Sequence, residues 1–205
     1  MRKMSLTLLV MVALLLPSLV LADPPEPHIP SLSAEQVDRL NNGEILVEVV
    51  NGDVPIGDVL GVVDAPAQQV LDIIVDFDSW HEFMPSMTET EVTSTEGEYY
   101  ICRAVTDTPW PMDDRVYSFR AWAGETEVDG MTVLTSNWDY VEGSGNLEDT
   151  EGYWLLIPWG EDGSKTLVRY YLTADLGTWL PDFLLNWGTE NMLPSLIEGL
   201  RSRAS

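Results

Sequence analysis

Apolar residues recur at helical spacing at Val70, Ile73, Ile74 and Phe77, then give way to an aromatic loop of Trp80, Phe83 and Met84 that Pro85 closes. Asp64 stands at an N-cap position and Pro66 in the first turn, so the spacing predicts a helix that starts near Ala65 and runs into that loop. A shorter helix is predicted from Ser33 to Asn42, because Ser33 is followed three residues on by Gln36, the spacing of a capping box. A third stripe, Leu185, Met192, Leu193, Leu196, Ile197 and Leu200, predicts a long amphipathic helix from Pro181 to Arg203. Pro194 falls inside it and has no N–H for the i−4 carbonyl. In a regular helix interior that costs roughly 3 kcal/mol and predicts a kink or a split.

Between these helices the pattern changes to period two. Strands are predicted at Glu44–Val50, Val59–Val63, Thr88–Ser94, Tyr99–Val105, Arg115–Trp122, Met131–Tyr140, Gly152–Pro158 and Thr166–Ala174. Turn signals at Glu96-Gly97, Asp129-Gly130 and Glu161-Asp162-Gly163 give hairpin spacing and hence one antiparallel sheet. Both faces of it are occupied: Tyr117 and Phe119 alternate with Val116 and Arg120, Tyr170 and Leu172 with Arg169 and Tyr171, and Trp154 with Tyr153 and Leu155. A sheet half apolar on both sides curls around a core or a cavity. Its architecture is α+β.

The N-terminus adds a compartment. Arg2 and Lys3 precede an apolar run to Leu16, and Val20-Leu21-Ala22 ends it, the pattern of a secretory signal peptide cut after Ala22. An uncleaved anchor is the competing reading, since Met4 to Ala22 is nearly long enough to span a bilayer. Residues 23–32 then read as an extended Pro-rich leader and residues 33–205 as a single domain. Cleavage leaves 34 acidic against 8 basic side chains, a net charge of −26, which excludes nucleic acid as a partner, because phosphate contacts need Lys and Arg patches. The same charge opposes docking on anionic lipid. Cys102 is the only cysteine, so no intrachain disulfide forms, and its apolar run makes it a buried small hydrophobe. With one cysteine and two histidines a zinc site is not expected, and no metal or cofactor is assigned; a carboxylate site for a hard cation stays open.

Three segments in this order carry a resemblance: Val70 to Pro85, Pro109 to Arg120 with its Asp113-Asp114-Arg115 run, and Leu180 to Arg203. Over Glu44 to Arg203 the chain resembles the START-domain superfamily, including its bacterial polyketide cyclase and coenzyme Q-binding START-like members. The resemblance implies a helix-grip fold, a curved antiparallel sheet wrapped round the C-terminal helix with an apolar tunnel between them. It implies a hydrophobic small molecule or lipid as ligand, quinone-like or sterol-like chemistry included, carried by an exported monomer that touches membranes transiently. Two other readings stay open. One is a cyclase, aromatase or dehydratase acting in the same cavity, although His81 is the only histidine beyond the leader. The other is a scaffold with no ligand.

Given a tunnel, its expected walls follow from residue type. Trp80 and Phe83 of the aromatic loop, and Tyr99, Tyr117, Phe119, Trp154 and Tyr171 on strands, supply rings. Leu185, Met192 and Leu196 supply the helix side. Arg103, Arg115, Arg120 and Arg169 interrupt apolar strands, and a buried arginine needs a carboxylate or a ligand headgroup; ion pairs with the many acids stay open for all four, with Arg103 and Arg169 the candidates for the headgroup. Arg115, beside two aspartates, is assigned to a structural salt bridge instead. Trp110 and Trp159 lie beside prolines and, with Trp80, are placed at the tunnel mouth or a membrane-touching edge.

Overall fold

A computed structural model describes residues 26–205 except 51, 53 and 178–185. The N-terminal segment read above as a signal peptide, and Leu185, lie outside the described residues. The chain forms α1 (Ala34–Asn41), β1 (Leu46–Val50), β2 (Ile56–Val63), α2 (Ala67–Ile74), a 3₁₀ helix (Phe77–Glu82), β3 (Met87–Glu96), β4 (Tyr99–Thr106), β5 (Arg115–Val128), β6 (Met131–Tyr140), β7 (Asp149–Trp159), β8 (Lys165–Asp175), a π-helical turn (Gly188–Met192) and α3 (Leu193–Ala204). All eight strands form one antiparallel sheet in the order β1-β2-β8-β7-β6-β5-β4-β3. The β1–β2 hairpin and the β3-to-β8 meander therefore meet where β2 pairs with β8, with α2 and the 3₁₀ helix carrying the chain across.

Ser33 caps α1 as its spacing predicts, accepting from the Gln36 amide while the Gln36 side chain accepts from the Ser33 amide. The start of α2 differs from expectation. Pro66 is itself the cap, in an extended conformation, and the helix begins at Ala67, while Asp64 is drawn away to Lys165 at 2.6 Å. The helix also stops at Ile74, and Phe77 and Trp80 stand on the separate 3₁₀ helix, where the Trp80 indole donates to the Ile74 carbonyl at 2.7 Å and seals that end. Strand β5 runs six residues past Trp122, through Gly124 to Glu127. Cross-strand pairing to β6 outweighs their weak strand preference, and Asp129 and Gly130, both at positive φ, close the hairpin.

Two apolar cores lie on opposite faces of the sheet. The concave core joins Val59, Phe119, Trp154, Leu156 and Val168 to Val70 and Ile74 of α2 and to Leu193, Leu196, Ile197 and Leu200 of α3. The convex core joins Tyr153, Leu155, Ile157 and Leu167 to Leu40 of α1, with Ile29 and Leu32 packed against it. Burying each such aliphatic side chain contributes about 1.5–3 kcal/mol, so occupation of both faces explains the mixed alternation.

Glycines set the closeness of α3 to the sheet. A Cβ on Gly61 would stand 2.5 Å from Ile197 Cγ2, and one on Gly199 would stand 2.5 Å from the Phe83 carbonyl. The far end of α3 is tied down by side chains: Arg203 pairs with Asp76 and Glu82, Arg201 donates to the Val62 and Gly43 carbonyls, and Gln69 donates to the Ala204 carbonyl. Pro194 does not break the helix. It sits in the first turn of α3 directly after the π-helical turn, and the Ser195 hydroxyl donates to the Asn191 carbonyl at 2.6 Å, so the ladder opens by one residue there and then resumes.

Candidate functional site: a cavity under the C-terminal helix

The concave face and α3 do not close completely on each other. Between them lies a mainly apolar cavity of about 270 Å³. Its sheet wall carries Tyr117 and Phe119 from β5, Trp138 from β6, and Tyr170 and Leu172 from β8. Its helix wall carries Met192, Leu193 and Leu196, and Trp80 and Met84 close the side next to α2. Two aromatic stacks build the walls. Trp80 lies on Phe119 with centroids 5.4 Å apart, and Trp138 lies on Tyr170 at 5.3 Å, with Trp154 wedged behind Tyr170 at 4.3 Å. Aromatic contacts of this kind hold bulky rings in place around an unfilled space.

Polar groups gather at one end. Thr106, Asp107 and Thr108 leave β4 there, and Arg115 and Tyr117 enter β5. Thr106 and Arg115 face each other in the β4–β5 register. Burial pushes the Tyr117 phenol up from its ordinary value, and the Thr106 hydroxyl beside it works in the opposite direction. Burial, with the Tyr117 phenol nearby, pushes the Tyr170 phenol up as well.

Of the sequence-predicted ligand contacts, Trp80, Tyr117, Phe119, Met192 and Leu196 line the cavity. The others stand elsewhere. Trp154 is wholly buried behind Tyr170, and Phe83 packs at the edge of the concave core under the Arg203 guanidinium. Tyr99 and Arg103 point to the outer face of β4, opposite the buried Cys102 and Ala104. There Arg103 pairs with Glu89, and Tyr99 meets Trp122 and the Arg120 guanidinium. Arg169 and Tyr171 are likewise on the convex face: Arg169 is 5 % exposed, donates to both Asp58 oxygens at 3.0 and 2.5 Å, and reaches the His28 carbonyl. Tyr171 stacks flat on Tyr153 at 5.2 Å. Trp159 also belongs to the convex side, donating to Asn41. Trp110 is 87 % exposed, next to Pro109 of the cavity rim.

Arg115 reverses its expected role. No ion pair of it is found among the described residues; its Nη1 donates to the Asp113 carbonyl at 3.3 Å, and its Nε is buried without a partner in the cavity wall. The neighbouring Asp114 carboxylate is taken by the Thr108 amide. Sequence reasoning passed over Tyr170, Leu172 and Thr106, whereas Trp138, read from its strand position as core or cavity wall, does line the cavity. The glycines of β2 carry the missing signal: Gly57 and Gly61 face the helix, and they pair with Leu172 and Val168, so the face shared by Leu172, Tyr170 and Val168 is the inner one.

His81 lies off the cavity, its ring against Thr90 Oγ1. Among the described residues no group of three or more His, Cys, Asp or Glu side chains is placed to hold a metal ion.

The comparisons agree with this geometry. The polyketide cyclase / dehydrase and lipid transport family model matches residues 63–201, about two thirds of the chain, and the protein belongs to that family. The fold is the START-like helix grip. A STAR-related lipid transfer protein from Xanthomonas axonopodis is similar at a TM-score of 0.65 and 20 % identity, over 78 % of this chain and 93 % of that one. The lipid transfer and protein localization domain of human StarD13 gives 0.60 at 14 % identity, over 86 % and 99 %. The Zhui aromatase/cyclase from Streptomyces sp. R1128 gives 0.56 at 14 % identity, over 74 % and 93 %. No curated protein matches the chain.

Proposed function

We propose that this protein binds one hydrophobic ligand in the cavity between the sheet and α3, and carries it through an aqueous compartment outside the cytoplasm. The apolar cavity of about 270 Å³ carries the reading. Sites for drug-sized ligands begin at about this volume and are lined in the same way, by apolar walls with a few polar groups. The size favours a single chain or a small ring system over a two-chain lipid. Export rests on the Arg2-Lys3 start, the apolar run and the Val20-Leu21-Ala22 ending. Trp110, exposed beside the rim, suits brief contact with a membrane surface, where an indole is favoured.

Binding is preferred to catalysis because of the groups that face the cavity. The two phenols are pushed up by burial, away from the range in which a general acid or base exchanges protons near neutral pH. His81 does not reach the space, and Asp107 is the one carboxylate in the lining, with no second carboxylate and no histidine of the described residues beside it there.

The test is native mass spectrometry of the protein purified from its own compartment, with extraction of whatever accompanies it. One apolar molecule per chain is the expected result. Leu196→Trp, which fills the cavity from the helix side, should remove it while the protein stays folded by circular dichroism. A wild-type protein that arrives empty and takes up nothing from a panel of lipids, sterols and quinones would refute the carrier reading.

A further inference from the structure

Of the eight basic side chains beyond the signal segment, six are held by carboxylates and Arg201 is held by two carbonyls. Arg115 has one long bond to the Asp113 carbonyl and an Nε–H buried in the cavity wall without an acceptor. A buried donor left unmade costs about 1–3 kcal/mol, and more when it is charged. The Thr106 hydroxyl, opposite Arg115 in the register, and the Tyr117 phenol, two residues on along the same face of β5, converge on the same end of the cavity.

We propose that this end is a headgroup site, and that the ligand is a single-chain amphiphile whose carboxylate is received by Arg115, with Thr106 and Tyr117 donating to the same oxygens. This rests on the cavity-binding reading above and adds the class of ligand. Three donors, one of them a cation, call for an acceptor, and the guanidinium fork matches a carboxylate. Charge argues for a monoanion. Asp107 lines the same end and Asp113 and Asp114 flank Arg115, so a phosphate with two charges meets one cation among three acids. The apolar walls from Phe119 to Leu196 then take the chain.

The test uses decanoic acid and methyl decanoate, which share a chain and differ in the charged oxygen, titrated calorimetrically into the wild type, Arg115→Met and Arg115→Lys. Arg115→Met is expected to weaken the acid at least tenfold and leave the ester within about twofold, with Arg115→Lys recovering part of the loss. A second readout needs no variant. With carboxyl-labelled ¹³C-decanoic acid bound to the wild type, the carboxyl should titrate below its value in free solution, because an adjacent arginine lowers it where an apolar cavity alone would raise it. A carboxyl that titrates at or above the free value, or an acid and ester that respond alike to Arg115→Met, overturns the headgroup site while the cavity reading stands. Failure of both compounds to bind the wild type overturns this site, and the cavity reading falls with it only where the panel of lipids, sterols and quinones is refused as well.

Discussion

Single side chains in this molecule divide by the face of the sheet they occupy, and their energetics follow from it. Arg169 is a convex-face residue whose guanidinium is buried and satisfied by Asp58 and the His28 carbonyl. Removing one partner of such a pair strands the other charge, so Asp58→Ala should cost about 3 kcal/mol in urea unfolding and leave ligand affinity unchanged. Cys102 and Tyr153 report on burial through pH. Burial, with Asp78 nearby, pushes the Cys102 thiol up to about 12 from 9.0, and burial pushes the Tyr153 phenol up to about 12 from 10.0. Both folded values lie above the unfolded ones, so their stabilisation is complete below about pH 9 and is lost as pH rises toward 12. Thermal unfolding midpoints should therefore fall across that window, and Cys102→Ala should flatten its lower part. The difference between Arg115 and Arg169 also marks the limit of the sequence. Alternation separates the two faces of a strand without saying which is concave, so sequence reasoning assigns Arg169 to the ligand and Arg115 to a salt bridge, and only the β2 glycines and the β2–β8 register, which orient the sheet, reverse the two.

Secondary elements were legible wherever local chemistry and periodicity agreed. The Ser33–Gln36 capping box, the Asp129-Gly130 turn and all eight strands stand where the pattern places them, with ends that move by pairing, as at β5. Less legible were features decided by contacts distant in sequence. Asp64 leaves its N-cap position for Lys165, and Pro194 falls in the first turn of α3 directly after a π-helical turn, not in a regular helix interior. The same long-range contacts decide where α3 sits. A side chain at 61 must move Ile197, whose buried branched carbon has little room, so Gly61→Val should cost about 1–3 kcal/mol in chemical denaturation. Shortening the partner should recover much of it: the double variant Gly61→Val/Ile197→Ala is expected to be more stable than the sum of its single changes, a positive coupling measured in a double-mutant cycle.

At the scale of the whole molecule, the sheet is an open eight-stranded trough with β1 and β3 at its edges, and the last helix closes it. The family match and the START-like neighbours describe that architecture, and the ligand chemistry is left to the few polar groups of one end. Trp110 belongs to this scale too. Replacing it by alanine should slow transfer of a fluorescent ligand from neutral vesicles severalfold and leave the equilibrium affinity within twofold, because the ring stands outside the cavity.

The fastening of α3 at its C-terminal end sets where along the helix a bound ligand would be felt. Its C-terminal turns are bolted to four separate parts of the chain through Arg201, Arg203 and the Ala204 carbonyl, and the π-helical turn at the other end forms cavity wall. Residues 200–204 are thereby an anchored end, and a ligand in the cavity would touch the helix through Met192, Leu193 and Leu196. Amide hydrogen exchange should therefore slow on ligand binding at Met192, Leu193 and Leu196, which line the cavity, and stay almost unchanged at residues 201–204.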